Sequence, residues 1–351
     1  MINGYCNLNR SKSFLEKKGV KKYSQNELFT MSKVGCGTYL GLPNERIDKM
    51  YIESIKKSVT LGVNFLDTAI NYRGMRSEIL VGKAVKELIE DNTITRDEVI
   101  IATKGGFIPA DYRKTQELDE TFVENHKNKI REFFLNNLCK EAKLKEEQIS
   151  DTLGAENSAH RDFISWCFEE SRKNLNLETI DIYYLHNPSN YLKYVGEEKF
   201  YNDLLETFKY LEKQIEKGSL KSYGTSTYSG LLVDEKNKGY LSLDKIVETA
   251  KIAGGENHNF KFIQLPFNKN KKDASILKNQ TIGNKSLTIL EAAEKLGISV
   301  ITNISLDQSK STDKYTIDEM IEFLVYNQKI SSSLLGMKTI KYVPKNIKNI
   351  L

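Results

Sequence analysis

The chain has 351 residues, 39% hydrophobic and 28% charged, enough for one large α/β barrel or two ordinary domains. Its 52 basic residues against 47 acidic ones leave a net charge of +5, too mild and too evenly spread to indicate a nucleic-acid partner. No stretch approaches the roughly 18 apolar residues of a membrane span, and the polar start lacks a signal-peptide core, so a cytoplasmic protein without membrane contact is expected. The four cysteines, Cys6, Cys36, Cys139 and Cys167, form no CxxC pair and no short-spaced ligand pattern, so free packing thiols and no metal are expected. With five prolines and no Pro/Ser-rich linker, residues 1–351 read as one domain.

Short apolar runs alternate with amphipathic stretches almost from end to end. The first strand is expected at Met31–Tyr39, followed by a helix in "NERIDKMYIESIKKSVTLG". There Ile47, Tyr51, Ile55 and Val59 recur every fourth residue on one face. Next come "VNFLD", the helix "SEILVGKAVKELIED" and a strand at Glu98–Gly105. After a long gap, "RDFISWCFEESRKNLNL" reads as a helix feeding the strand "TIDIYYLHN". The runs "LKSYGTST", "FKFIQLPFN", "ISVITNIS" and "SSSLLGM" complete eight strand candidates, separated by helical stretches several of which end in Gly. Eight βα units in one domain of this length imply a (β/α)8 TIM barrel with its site at the C-terminal strand ends.

The rival is a doubly wound sheet, and "GCGTYLG" tests it. Gly35, Gly37 and Gly41 follow G-x-G-x-x-x-G, and the next helix starts only near Asn44, not on the glycines. A dinucleotide fingerprint needs the helix N-terminus to meet the pyrophosphate at once, so these glycines read as a tight strand exit.

In a barrel, the polar residues at strand ends converge. They are Asp67 after "VNFL", Tyr72 five residues on, Lys104 ending "IIATK" and His186 ending "IYYLH". Singly, each has an ordinary structural reading: a helix cap, a loop aromatic, a solvated strand end, a hydrogen-bonded histidine. Together they meet the needs of carbonyl reduction, in which the oxygen requires a proton as it becomes an alkoxide. Tyr72 would donate that proton, Lys104 would stabilise the phenolate, Asp67 would keep Lys104 charged, and His186 would orient the substrate oxygen.

These pieces resemble the aldo-keto reductase family. "GCGTYLG", "NFLDTAINY", "ATKGG", "YYLHNP", "YGTSTYSG", "FIQLPFN" and "LLGMKTIKYVPKN" occur in the family's order across most of the chain. The resemblance implies a barrel with Asp67, Tyr72, Lys104 and His186 as the catalytic tetrad and a small-molecule carbonyl as substrate. It implies NADPH as cofactor, with NADH as the alternative, bound by Gly37, Thr38, Asp67, Ser226, Thr227 and Gln264. Ser305, Leu306, Gly336, Met337, Lys338, Tyr342 and Asn346 complete that set. Tyr39, Phe107 and Asn187 are the expected substrate-pocket residues.

The sequence departs from the family in several places. Thr227 replaces the usual Asn, Ile304 stands where an aromatic normally stacks on the nicotinamide, and Tyr342 replaces an arginine that grips the 2′-phosphate. Lys338, Lys341 and Lys345 could substitute as point charges. About fifty residues, roughly 106–158, follow the third strand, far beyond an ordinary loop of ~2–6. An enlarged loop at this point resembles a bacterial subgroup of the family. This insertion is expected either to cover the pocket, with Phe107, Tyr112 and His160 nearby, or to be decorative. The chain ends five residues after Asn346 (351 − 346), so the insertion is expected to stand in for the closing C-terminal tail of many relatives. Two other readings are Schiff-base chemistry at Lys104, which an adjacent Asp67 would oppose, and a non-catalytic cofactor-sensing subunit.

Overall fold

The computed structural model describes residues 1–114, 120–141, 145, 148–149 and 156–351. Ahead of the barrel lie α1 (Leu8–Lys17) and a hairpin of β1 (Tyr23–Gln25) with β2 (Thr30–Ser32). The barrel starts with β3 (Val34–Gly37), α2 (Glu45–Thr60), β4 (Phe65–Asp67), α3 (Arg76–Glu90) and β5 (Ile100–Gly105). After α4 (Glu120–Glu141) and α5 (Arg161–Leu175) come β6 (Ile180–His186), α6 (Pro188–Val195), α7 (Glu197–Glu216) and β7 (Leu220–Ser226). Then follow α8 (Leu243–Gly254), β8 (Phe260–Pro266), α9 (Asp273–Ile276), and a small hairpin of β9 (Gln280–Ile282) and β10 (Lys285–Leu287). The chain finishes with α10 (Ile289–Lys295), β11 (Ser299–Asn303), α11 (Ile317–Val325), β12 (Ser332–Gly336) and α12 (Val343–Ile347). Strands β3 to β8, β11 and β12 close into an eight-stranded parallel barrel.

Local chemistry explains these elements. Asn44 caps α2 through a bond from Ile47 N, acidic Glu45 and Asp48 sit in its first turn, and its apolar stripe faces the barrel. Ile55 and Val59 are fully buried there, each contributing roughly 1.5–3 kcal/mol of burial. Thr288 with Glu291 and Thr316 with Glu319 form capping boxes at the starts of α10 and α11.

The expected strand Met31–Tyr39 is two elements. Residues up to Ser32 pair antiparallel with Tyr23–Gln25, Asn64 Oδ1 accepts from Ser32 N, and only Val34–Gly37 joins the barrel. Likewise the strand expected from Glu98 starts at Ile100, because a Thr95/Glu98 capping box closes a 3-10 turn just before it. The hairpin closes the barrel floor, where Phe29 and Met31 pack with Phe65, Ile100 and Phe262. Of the cysteines, Cys6, Cys36 and Cys167 are free and buried, and burial pushes the Cys36 thiol up to about 12. The side chain of Cys139 lies outside the described residues. Parts of the expected 106–158 insertion also lie outside them. Among the described residues no helix is long and apolar enough to cross a membrane, and no His/Cys/Asp/Glu group could hold a metal.

Candidate active site at the barrel mouth

Strand parity selects the residues that face the mouth. Phe65, Ile100, Ala102, Ile182, Tyr184, Phe262, Ile301 and Leu334 fill the barrel interior. Side chains alternate along a strand, so residues two further along point inward as well. That next layer consists of Asp67, Lys104, His186, Gln264, Asn303 and Gly336, with Gly37 and Ser226 ending their own strands at the same level.

Lys104 is fully buried and all three of its N–H donors have partners: Asp67 Oδ1 at 2.5 Å, the Thr68 carbonyl at 2.8 Å and the Tyr72 hydroxyl at 3.4 Å. The second Asp67 oxygen accepts from Gln264 Nε2 at 2.9 Å. Gln264 Oε1 in turn accepts from Ser226 Oγ at 3.0 Å and Asn303 Nδ2 at 3.2 Å. Burial pushes the Asp67 carboxyl up and the Lys104 ammonium down, each opposed by the charge of the other. The Tyr72 phenol is raised well above its ordinary value, first by burial and then by the Asp67 carboxylate. His186 is held well below its ordinary value by burial and by the Lys104 charge. At neutral pH the cluster therefore presents a protonated phenol and a neutral imidazole.

Aromatic edges surround it. The ring of Tyr72 lies 5.1 Å from that of Tyr39 and 5.8 Å from that of His186, and Phe107 meets His186 edge-on at 4.8 Å. Tyr39 is 59% exposed and so stands at the rim.

The other expected site residues each have contacts of their own within the chain. Thr38 donates to the Asp67 carbonyl and accepts from Ser77 at its own, tying the ends of β3, β4 and α3 together. The Thr227 hydroxyl accepts from Gly230 N, and Asn187 Oδ1 accepts from Tyr228 N, so both serve the turn after β7. Met337 faces the helix layer, its sulfur accepting from Ser58, and Asn346 is buried on α12. Tyr342 is half exposed beside Lys341, whose ammonium lies over its ring. Leu306 is half buried and packs against the core cluster. His160 caps α5, and its Nε2 pairs with Gln148 at 2.7 Å. Ile304 has a left-handed φ of 53°, and its carbonyl accepts from Asn268. The β11 residue that reaches Gln264 is Asn303, which sequence reading missed. Counting in twos from the interior residue Ile301 would have found it.

The mouth also holds unmet polar atoms. Asn303 Oδ1 and Ser305 Oγ are buried without partners, and Lys338, just past Gly336, has no carboxylate partner among the described residues.

A model described as the aldo/keto reductase family matches residues 33–242. The NAD(P)H-dependent D-xylose reductase of Kluyveromyces lactis is 25% identical over 253 residues, 56% of this chain and 76% of that protein. The NADH-specific methylglyoxal reductase of Escherichia coli is 34% identical over 84 residues, 22% of this chain and 24% of that protein. Among solved structures, an aldo/keto reductase from Klebsiella pneumoniae in complex with NADP and acetate superposes with a TM-score of 0.60 at 15% identity. That alignment covers 94% of this chain and 90% of the other.

Proposed function

This chain belongs to the aldo/keto reductase family, and from that premise we propose an NAD(P)H-dependent oxidoreductase that reduces an aldehyde or ketone to an alcohol. Its catalytic groups are Tyr72, Lys104, Asp67 and His186. The observation that carries this reading is Lys104, which touches Asp67, Thr68 and the Tyr72 hydroxyl at once.

Tyr72, protonated at neutral pH, donates its proton to the carbonyl oxygen as charge develops there. Lys104 stabilises the phenolate left behind, and Asp67, held by Gln264, keeps that ammonium fixed. His186 Nδ1 is buried without a partner, and an orphaned buried N–H is costlier than an orphaned acceptor. The neutral ring therefore carries its proton on Nε2, the nitrogen that would hydrogen-bond the substrate oxygen. With the Lys104 amine fully buried and every N–H committed, no face is free for Schiff-base attack.

The nicotinamide, when bound, supplies the hydride. The donor set suits such a cofactor. Ser226, Gln264 and Asn303 form an amide-binding group, with the unmet oxygens of Asn303 and Ser305 beside it. Gly37, Gly336 and the backbone at Met337 would line the phosphate side, and Lys338 offers a cation for phosphate. On this reading NADPH is preferred and NADH is the alternative. Tyr39, Phe107 and Asn187 would bound the substrate, a small carbonyl compound.

The test is a fluorescence titration with NADPH and NADH, followed by a carbonyl panel on wild type and Tyr72→Phe. We expect Tyr72→Phe to bind NADPH as wild type does and to lose a factor of about 10²–10⁴ in kcat. Reduction at the native rate by Tyr72→Phe would remove the proposed acid.

A further inference from the structure

Tyr72 and His186 come from different βα units, make no hydrogen bond to each other, and yet must converge on one oxygen. The long connection between β5 and α5 touches the backbone beside both. Resting on the reductase reading above, we propose that the two ends of this connection, residues 106–113 and 156–158, form a brace that sets the spacing of Tyr72 and His186, with Asn157 and Tyr112 as its positioning residues.

At the His186 end, the connection leaves and returns as a two-stranded neck. Ile108 N donates to the Glu156 carbonyl at 3.0 Å, Ser158 N donates to the Gly106 carbonyl at 2.8 Å, and Phe107 pairs with Asn157 between them. This neck lies directly on the histidine. Asn157, fully buried, donates from Nδ2 to the His186 carbonyl at 2.8 Å, and the Phe107 ring meets the imidazole edge-on. Gly106, with φ +147°, allows the approach: a Cβ there would stand 2.6 Å from the His186 carbonyl oxygen. From α4, Arg131 holds both strands of the neck at once. It donates to the Ile108 carbonyl at 2.9 Å and pairs with the Glu156 carboxylate at 2.8 Å.

At the Tyr72 end, Tyr112 N donates to the Gly74 carbonyl at 3.0 Å, and Arg76 donates to the Tyr112 carbonyl at 3.1 Å. Gly74 is two residues past Tyr72. Its φ is +61°, and a Cβ there would lie 2.2 Å from the Tyr112 ring. Arg113, next along, pairs with Glu170 at 2.7 Å and bonds Asn174 on α5 at 3.0 Å, which fixes the connection to the barrel's outer layer. A floppy or decorative loop has no reason to place one buried amide on His186 and one main-chain pair on the turn that carries Tyr72. Misplacement by about 1 Å can cost on the order of a hundredfold in rate, so a brace of this kind acts on kcat.

Asn157 also keeps an orphaned Oδ1. Replacing it by Ala frees the His186 carbonyl but removes that orphan as well, so Asn157→Ala is expected to fold. The chain has four histidines, which lets selective ¹⁵N-histidine labelling resolve the His186 ring, assigned by its loss in His186→Gln.

We expect Asn157→Ala to shift or broaden the His186 ring signals and to lower kcat on the order of tenfold. Its NADPH dissociation constant should stay within about twofold, since the brace touches no cofactor residue. Arg131→Ala should act in the same direction but more weakly, and the double variant should be no worse than Asn157→Ala alone, because both act through the neck. If Asn157→Ala fails to fold, Arg131→Ala carries the same readouts. Unchanged His186 signals and unchanged kcat in a folded variant would overturn the brace. If wild type reduces no carbonyl, the reductase reading fails, while the ring signals still decide whether the neck positions His186.

Discussion

Across the barrel mouth, Lys104 and Asp67 have a partner for every N–H and both carboxylate oxygens, whereas Asn303 and Ser305 each keep a buried oxygen with none. Backbone strain does not separate the two sides. Arg73 and Met75 are left-handed near Tyr72, and Asp307, Gln308 and Ser309 are left-handed after β11. Both turns are tied down, Arg73 to Asp48 at 2.7 Å and Asp307 to Asn270 and Ser311. What differs is the polar satisfaction of the charged pair, since His186 Nδ1 beside it also lacks a partner. A group that must stabilise charge at the moment of reaction has to be held in advance by its own neighbours. A surface that binds a ligand can leave acceptors unmet until the ligand meets them.

The largest test of this contrast is on the satisfied side. Lys104→Met strands the Asp67 carboxylate in the interior, and we expect a loss of about 3–5 kcal/mol of stability in denaturant unfolding, together with loss of turnover. A nearly neutral result would mean that the pair is not the cluster's anchor.

On the unmet side, Lys338→Met should weaken NADPH about tenfold more than NADH in fluorescence titrations, or ~1.4 kcal/mol of discrimination. Equal weakening would take Lys338 away from the extra phosphate.

Acid should unfold the protein through His186. The folded imidazole is depressed and stays neutral, while the unfolded one takes up a proton below about pH 6.5, so stability is intact above that pH and falls as pH drops below it. The slope from this group is at most about 1.4 kcal/mol per pH unit, and His186→Gln should flatten thermal melts between pH 7 and 5.

The smallest effect is at Gln308, exposed with φ 52°. Gln308→Gly should raise stability by about 0.5–1 kcal/mol, read as a higher melting temperature, because glycine holds that conformation without steric cost. A lower melting temperature would mean that the side chain itself supports the turn.

How far the sequence could be read depended on the range of the interaction. Periodicity of two and 3.6 is a local property, so the eight barrel strands and most helices were legible, as were Asp67, Tyr72, Lys104 and His186, each fixed by its place at or just beyond a strand end. Met31–Tyr39 looked continuous because apolar residues stand on both sides of Lys33, Met31 before it and Val34 and Cys36 after it. Its break at Lys33 depends on Tyr23–Gln25 claiming one half and the barrel the other. Asn303 was passed over because register, not residue type, turns it toward Gln264.

The sequence alone thus determined the parallel barrel and the order in which its polar strand ends appear, since both follow from local pattern and handed βα connections. Only the tertiary structure decided which partners those side chains take. It tied Thr38 to Asp67 and Ser77, faced Met337 to the helices, joined Gln264 to Asp67, and laid Asn157 on His186. Those pairings join residues far apart in the chain, and hydrogen-bond geometry between such residues is set only when the barrel closes.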